Sequence, residues 1–110
     1  METYKLYIGG EFVDATNGLT RETHNPWNGE AIANIAVAGP QDVQSAIDAA
    51  RNAFDNGPWS MMSCEERSEL ICTLAAKMKE RQKDMARLES LDSGGTIAKT
   101  GADAYLAQRQ

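Results

Sequence analysis

The segment from Ser63 to Gly95 constrains the fold most, because it places a helix start signal and a helix stop signal around a long apolar pattern. Ser63 and Glu66 form a capping box, in which each side chain accepts the free backbone N–H of the other residue. Gly94 and Gly95 end the segment with residues that tolerate left-handed backbone angles. Between these signals the apolar residues recur at helical spacing; they are Leu70, Ile71, Leu74, Ala75, Met78 and Met85.

The apolar pattern is interrupted near residues 81–83. If one helix continued through this region, Arg81 and Gln82 would occupy the next apolar row. Glu89 would then face the core, where an unpaired carboxylate is costly. The sequence therefore predicts a break at residues 81–83 and a second helix over residues 84–91.

The N-terminal third of the chain carries β signals. Residues 4–8 alternate between two faces, and the pair Gly9–Gly10 then leads into residues 11–13. Because both glycines can take positive φ angles, this pattern predicts a β-hairpin. A turn at Asn25–Gly29, with proline at its second position, precedes a short apolar strand over residues 30–37.

Two more helices flank the central pair. Pro40 suits a first helical position, and Gly57 followed by Pro58 closes that helix. Thr96 is placed to cap a last helix. The sequence thus predicts an α+β chain in which a β-hairpin and strands precede about four helices. The apolar rows of the flanking helices are Val43, Ile47, Ala50 and Phe54, and Ile97, Ala98, Ala102, Tyr105 and Leu106.

Composition excludes several classes of protein. The 110 residues are enough for one domain, and 42% of them are hydrophobic, as in a globular chain. The net charge of −5 leaves no basic surface for a nucleic acid. No apolar run is long enough for a signal peptide or a membrane span, so we expect a cytoplasmic protein that binds no membrane.

The sequence offers no active site of its own. No glycine pattern of a phosphate-binding loop and no serine in a nucleophile elbow is present. Cys64 and Cys72 lie roughly 80° apart around the predicted helix, which disfavours a disulfide. A metal site formed by these cysteines and His24 would match no zinc pattern. We therefore expect no catalytic and no cofactor-binding residue in this chain.

Five short motifs occur in an order that resembles one known family. They are Ile8-Gly9-Gly10-Glu11, Asn25-Pro26-x-x-Gly29-Glu30, Ala49-Ala50-Arg51 before Phe54, Gly57-Pro58-Trp59-Ser60, and Leu88-Glu89-Ser90-Leu91-Asp92-Ser93-Gly94. With these motifs, the chain resembles the N-terminal segment of the NAD(P)-dependent aldehyde dehydrogenase superfamily.

The resemblance implies an enzyme that oxidises an aldehyde to a carboxylic acid with NAD or NADP, and that forms a homo-oligomer. In this family a cysteine attacks the aldehyde, hydride passes to the nicotinamide, and a glutamate activates water. Those residues lie beyond Gln110, so the chain alone is expected to be inactive. Residues 1–38 would form a β-hairpin and strand unit, and residues 39–110 the helical part of an incomplete, Rossmann-like cofactor domain.

The resemblance also implies one possible site within the chain. Several family members hold a structural monovalent cation, and the matching positions here are the carbonyls of Thr23 and His24 and the carboxylate of Asp92. Oxygen ligands suit such a hard ion. The alternative is that Asp92 only caps the junction between helix and turn. Gly95 stands where many members have lysine.

Two hypotheses follow. The chain is either an N-terminal fragment of an aldehyde dehydrogenase or a small stand-alone module whose helices form an interaction surface. A fragment should leave apolar rows exposed, including Val43, Ile47 and Phe54 in one helix and Tyr105 and Leu106 in another, whereas a stand-alone domain should bury them.

Overall fold

The computed structural model describes residues 1–109, so that Gln110 lies outside the described residues. The chain divides into two compact units. The first unit consists of Met1–Thr23 and Ala31–Met62, and the second of His24–Glu30 and the described residues from Ser63 onward. Strands precede four α-helices along the chain, which confirms the predicted α+β class.

The first unit contains the strands. These are β1 (Thr3–Tyr4), β2 (Leu6–Ile8), β3 (Glu11–Val13), β4 (Thr20–His24), whose last residue belongs to the second unit, and β5 (Ala31–Ala36). β5 lies between β1 and β4 in a three-stranded sheet, and β1 runs parallel to β5 with Thr3 opposite Asn34. The remaining two strands, β2 and β3, pair antiparallel.

The predicted hairpin is confirmed. Tyr7 lies opposite Phe12 in the β2–β3 ladder, and the centroids of their rings are 4.9 Å apart. Gly9 and Gly10 have φ angles of 61° and 91°, the left-handed region that the turn required.

The alternating residues 4–8 do not all belong to the hairpin. The chain leaves the ladder at Lys5, so that Tyr4 belongs to the three-stranded sheet and Leu6 to the hairpin. The physical reason is that β1 pairs with β5, which is distant in the sequence, and such tertiary pairing outweighs the local alternation of residues 4–8. β4 also begins at Thr20, within a stretch whose composition is that of a polar loop.

The first helix, α1 (Pro40–Asn56), begins and ends where the sequence predicts. Gly39 is its N-cap and Gly57 its C-cap, and the Gly57 N–H donates to the carbonyl of Ala53 at 3.0 Å. A short 3₁₀-helix over Trp59–Met61 follows.

The second unit contains the other three helices, α2 (Cys64–Glu80), α3 (Gln82–Ser93) and α4 (Ile97–Ala107). The capping box at Ser63 is confirmed, since its N–H donates to Glu66 Oε2 at 2.8 Å and its Oγ accepts the Glu66 N–H at 3.2 Å. The predicted break is confirmed at Arg81, between α2 and α3. It leaves Glu89 exposed rather than buried.

Helices α3 and α4 pack against each other within the second unit. Ala86 and Thr100 are buried between their neighbours, with 5% and 1% of their surface exposed. The Gln82 side chain links the helices, because its Nε2 donates to the Gly101 carbonyl and its Oε1 accepts from Gln108 Nε2. Small side chains therefore allow a close helix contact, which amide hydrogen bonds hold in register.

Candidate functional site

The turn between β4 and β5 is fixed by its own hydrogen bonds. The N–H of Gly29 donates to the Asn25 carbonyl at 2.8 Å, and the N–H of Asn25 donates to the Glu30 carbonyl at 2.9 Å. The side chain of Asn25 also accepts the Trp27 N–H at 2.9 Å. Gly29 adopts a φ angle of 72°, which explains the glycine in the motif. The result is a hydrogen-bonded loop in which Trp27 is 88% exposed.

The C-terminal end of α3 lies in the same unit and is shaped by short polar side chains. Gly94 takes a left-handed conformation (φ 72°, ψ 8°), and its N–H donates to the Ser90 carbonyl at 3.1 Å. The Ser90 hydroxyl donates to the Gly95 carbonyl at 2.6 Å. The Ser93 hydroxyl donates to the Glu89 carbonyl and accepts the Gly95 N–H. These bonds satisfy the carbonyls that a helix end leaves unpaired.

The turn and the helix end meet at Pro26 and Gly94. A Cβ atom added to Gly94 would lie 2.8 Å from the Cγ atom of Pro26. Only a residue without a side chain allows this approach. The Asn-Pro and Asp-x-Gly motifs, far apart in the sequence, therefore form one structural element in the second unit.

The three residues predicted as cation ligands lie at the end of β4 and near the end of α3. Thr23 and His24 end strand β4, the first half-buried and the second exposed. Asp92 lies in the last turn of α3, two residues before Gly94, with an exposed side chain. His24 and Asp92 belong to the same unit as the contact between Pro26 and Gly94.

A second polar element lies at the start of α1 in the first unit. The Asp42 side chain is 3% exposed, and its Oδ2 accepts the Gly39 N–H at 2.8 Å. It also accepts the N–H of Thr16, at 3.1 Å to Oδ1 and 3.3 Å to Oδ2. The bond to Gly39, more than that to Thr16, stabilises the charged form and lowers the pKa of Asp42, although burial opposes this shift.

The interactions of Asp42 can be predicted from the sequence only in part. Its position in the first turn predicts a favourable interaction with the helix dipole. The bond to Thr16 spans 26 residues and has no local signal in the sequence. The Asn17 side chain also packs against Gly39, since a Cβ atom added there would lie 3.2 Å from Asn17 Nδ2.

Side chains of the chain itself accept backbone N–H groups at the starts of α1, α2 and α4. At the start of α1 the carboxylate of Asp42 accepts the N–H of the N-cap residue Gly39, Ser63 and Glu66 cap α2, and Thr96 Oγ1 accepts the Lys99 N–H at the start of α4. Dinucleotide-binding folds place the pyrophosphate against free N–H groups at such a terminus. The N–H groups named above already have partners within residues 1–109.

An apolar surface runs along α1 and the hairpin of the first unit. Val43, Ile47 and Phe54 are 49%, 56% and 65% exposed. Shallow grooves lie beside these residues, lined also by Tyr7 and Ala50. By contrast, the buried apolar side chains among residues 1–109 are small; they are Ala15, Ala33 and Ala86.

The last helix shows a similar exposure. Tyr105 and Leu106 are 46% and 55% exposed, and Ile97 is 61% exposed. Exposed large apolar side chains in this number are typical of surfaces that another part of a protein covers.

The thiols and the histidine do not converge. Cys64 and Cys72 are free and exposed. Within residues 1–109 no three side chains of histidine, cysteine, aspartate or glutamate are grouped closely enough to hold a metal ion. In the same part of the chain, no helix is both long and apolar enough to cross a membrane.

Comparison with known proteins gives a consistent result. The sequence model of the aldehyde dehydrogenase family matches residues 12–109. The chain is 47% identical over 90 residues to aldehyde dehydrogenase family 2 member C4 of Arabidopsis thaliana, which covers 82% of this chain and 18% of that relative.

Solved structures agree. The NAD-dependent aldehyde dehydrogenase of Sinorhizobium meliloti superposes with a TM-score of 0.89 and 37% identity, over 94% of this chain and 21% of that one. A point mutant of betaine aldehyde dehydrogenase from Staphylococcus aureus, in complex with NAD+, gives a TM-score of 0.88 and 40% identity over 92% and 20% of the two chains. The described chain therefore spans about a fifth of the length of these proteins.

Proposed function

The chain belongs to the aldehyde dehydrogenase family, and we propose that it is the N-terminal part of an enzyme that oxidises an aldehyde to a carboxylic acid with NAD or NADP. The observation that carries this proposal is the family match over residues 12–109, joined to a superposition that covers nearly the whole chain. A solved relative holds NAD+, which supports the choice of cofactor.

In this proposal the chain is a scaffold and contributes no reacting group. At helix N-termini, which would suit a pyrophosphate, Ser63 and Thr96 cap α2 and α4, and Asp42 accepts the Gly39 N–H at the start of α1. Both cysteines are exposed, and among residues 1–109 no three side chains of histidine, cysteine, aspartate or glutamate are grouped closely enough to hold a metal ion. The nucleophile, the base that activates water and the cofactor contacts then belong to the rest of the protein, and the chain alone is inactive.

The exposed apolar rows support a fragment over a stand-alone interaction module. A stand-alone domain would bury side chains such as Ile47 and Phe54, but these remain more than half exposed. In the complete protein they would pack against the segments that the chain lacks. The division into a β unit over residues 1–38 and a helical part over residues 39–110 belongs to the same proposal.

We also propose that the end of α3 takes part in a structural monovalent cation site. The ligands would be the carbonyls of Thr23 and His24 and the carboxylate of Asp92. Support comes from the second unit, where Pro26 contacts Gly94 and so holds the turn after His24 against the helix end that carries Asp92. Oxygen donors of this kind suit a hard cation.

The expected surroundings of the enzyme follow from charge and thiol chemistry. A net charge of −5 on this segment supports a partner other than a nucleic acid. Two exposed free thiols suit the reducing conditions of the cytoplasm. We propose a cytoplasmic homo-oligomer whose subunit contacts lie largely outside the described residues.

The function is tested by aldehyde-dependent formation of NAD(P)H with the full-length protein and a panel of aldehydes. We expect one carboxylic acid for each NAD(P)H formed, and no activity from the 110-residue chain. If no aldehyde supports NAD(P)H formation by the folded full-length protein, the proposed activity is wrong.

A further inference from the structure

The chain contains three asparagine–glycine pairs, and each lies at a turn or a helix end: Asn17–Gly18, Asn28–Gly29 and Asn56–Gly57. An asparagine before glycine is the pair most prone to deamidation, because glycine has no Cβ to keep its backbone nitrogen away from the asparagine side chain. The surroundings of the three pairs differ, and these differences rank the pairs by their expected rate of deamidation.

At Asn28 both halves of the side-chain amide are held by one neighbour, Glu30. Asn28 Oδ1 accepts the backbone N–H of Glu30 at 3.1 Å, while Asn28 Nδ2 donates to Glu30 Oε2 at 2.8 Å. A donor on the carbonyl oxygen stabilises the charge that develops there when a nucleophile attacks the carbon. A carboxylate beside the leaving nitrogen is placed to carry a proton to it.

From this geometry we propose that Asn28 is a self-modification site, at which the folded chain deamidates with the assistance of Glu30. The backbone nitrogen of Gly29 attacks Asn28 Cγ and forms a new C–N bond. The Glu30 carboxylate takes the proton from that nitrogen and passes it to the side-chain nitrogen. The Cγ–Nδ2 bond then breaks, ammonia leaves, and a succinimide remains, which water opens to aspartate or isoaspartate. The sequence of steps consumes one water and needs no oxidant.

The other two pairs lack this arrangement. Asn17 Oδ1 accepts the Leu19 N–H at 2.8 Å, but its Nδ2 is packed against Gly39, near the buried Asp42. Asn56 lies in the last turn of α1 and donates from Nδ2 to the neutral amide of Asn52. In all three pairs the attacking glycine N–H is bonded to a carbonyl and must first be released, so this requirement does not change the ranking.

Deamidation at Asn28 would change the turn that contacts α3. A carboxylate at position 28 would replace the donor that now lies 2.8 Å from Glu30 Oε2. Two like charges at that distance repel each other, and the side-chain bond across the turn would be lost. The modification therefore adds one negative charge and loosens the loop that holds Pro26 against Gly94. This inference does not depend on the proposed enzymatic activity.

The experiment is to incubate the full-length protein at neutral pH and to measure deamidation by mass spectrometry after digestion with trypsin. Cleavage after Lys5, Arg21, Arg51 and Arg67 places the three pairs on separate peptides, Leu6–Arg21, Glu22–Arg51 and Asn52–Arg67. We expect the Glu22–Arg51 peptide to deamidate first, with the change at Asn28.

Glu30→Gln tests the assisting role, because its side-chain oxygen can still accept the Asn28 N–H but the amide cannot take up and release a proton. We expect this variant to slow deamidation at Asn28 by at least about tenfold, which is below the usual contribution of a positioned acid or base. The control Glu11→Gln removes a carboxylate from the hairpin and should leave the rate unchanged. The inference is overturned if either of the other two peptides deamidates first in the wild-type protein, if Asn28 does not react, or if Glu30→Gln leaves its rate unchanged.

Discussion

Pro26 fills the space in front of Gly94, so that a Cβ atom at position 94 would lie 2.8 Å from its Cγ atom. This contact joins the Asn-Pro turn to the end of α3 within the second unit. Gly94 also has a φ angle of 72°, which side chains disfavour. Any substitution at this position therefore lowers stability for two independent reasons.

Gly94→Ala should lower the free energy of unfolding by about 1–3 kcal/mol, because it adds backbone strain and a collision with the Pro26 ring. Urea denaturation measures the loss. The matched control is Gly101→Ala in α4, where a Cβ would meet nothing within 4 Å. That change should instead raise stability by about 0.5–1 kcal/mol.

The two costs at Gly94 can be separated by a double-mutant cycle. Pro26→Ala removes the ring, so Gly94→Ala should cost less in that background than in the wild type. Equal costs in both backgrounds would contradict a direct contact between the two residues.

Asp42→Asn should remove a pH-dependent part of the stability. The folded-state pKa of Asp42 is lowered from its ordinary value of 3.8, so the charged form stabilises the fold above that pH. The contribution is lost as the pH falls through the lower, folded-state pKa. We therefore expect the difference in melting temperature between wild type and variant to be full at neutral pH and to shrink under acid.

Asp48→Asn is the control for this prediction, because it changes an exposed carboxylate on the same helix that only accepts from Gln44 at 2.8 Å. It should shift the melting temperature less than Asp42→Asn at neutral pH. A difference for Asp42→Asn that stays constant from neutral to acid pH would contradict the role assigned to its charge.

Ile47→Lys tests whether the apolar surface of α1 is covered in the complete protein. On a surface that stays 56% exposed, such a change costs less than about 0.5 kcal/mol. Against a packed partner surface it buries a charge and should cost more than about 2 kcal/mol. Thermal unfolding of the full-length protein measures the difference, with Gln44→Lys at an exposed polar position of α1 as the control. Equal effects of the two variants would show that the surface is not covered.

Asp92→Asn tests the proposed cation site. In the wild type, replacing tetramethylammonium by sodium or potassium at constant ionic strength should raise stability, by about 2.7 kcal/mol at one hundred times the dissociation constant. The variant should lose this response, whereas Asp84→Asn in the first turn of the same helix should keep it. If the stability of the wild-type protein does not depend on the cation, the proposed site is wrong and Asp92 has only the capping role.

Local signals allowed much of this fold to be predicted from the sequence. The capping box of Ser63 and Glu66, the glycine pair of the hairpin and the break at Arg81 each depend on residues a few positions apart. Their physics is short-range, because caps and turns satisfy backbone groups of their immediate neighbours. The exposure of the Val43 and Tyr105 rows was likewise predicted for a fragment.

Long-range features were not predictable in this way. The parallel pairing of Thr3 with Asn34 and the bond from the Thr16 N–H to Asp42 join residues whose sequence neighbourhoods carry no sign of the partner. The contact of Pro26 with Gly94 is of the same kind, since the two motifs are recognisable separately but their meeting is not. Burial could not be predicted from apolar rows alone either, because most large apolar side chains among residues 1–109 are exposed.

The central claim is that this chain is one part of a larger enzyme, and the size of the native gene product tests it most directly. An antibody against the exposed Trp27 turn would recover the product from its source for an intact-mass measurement. The account predicts a mass several times larger than 12.0 kDa, recovered together with aldehyde-dependent NAD(P)H formation. A native product of 12.0 kDa would contradict it.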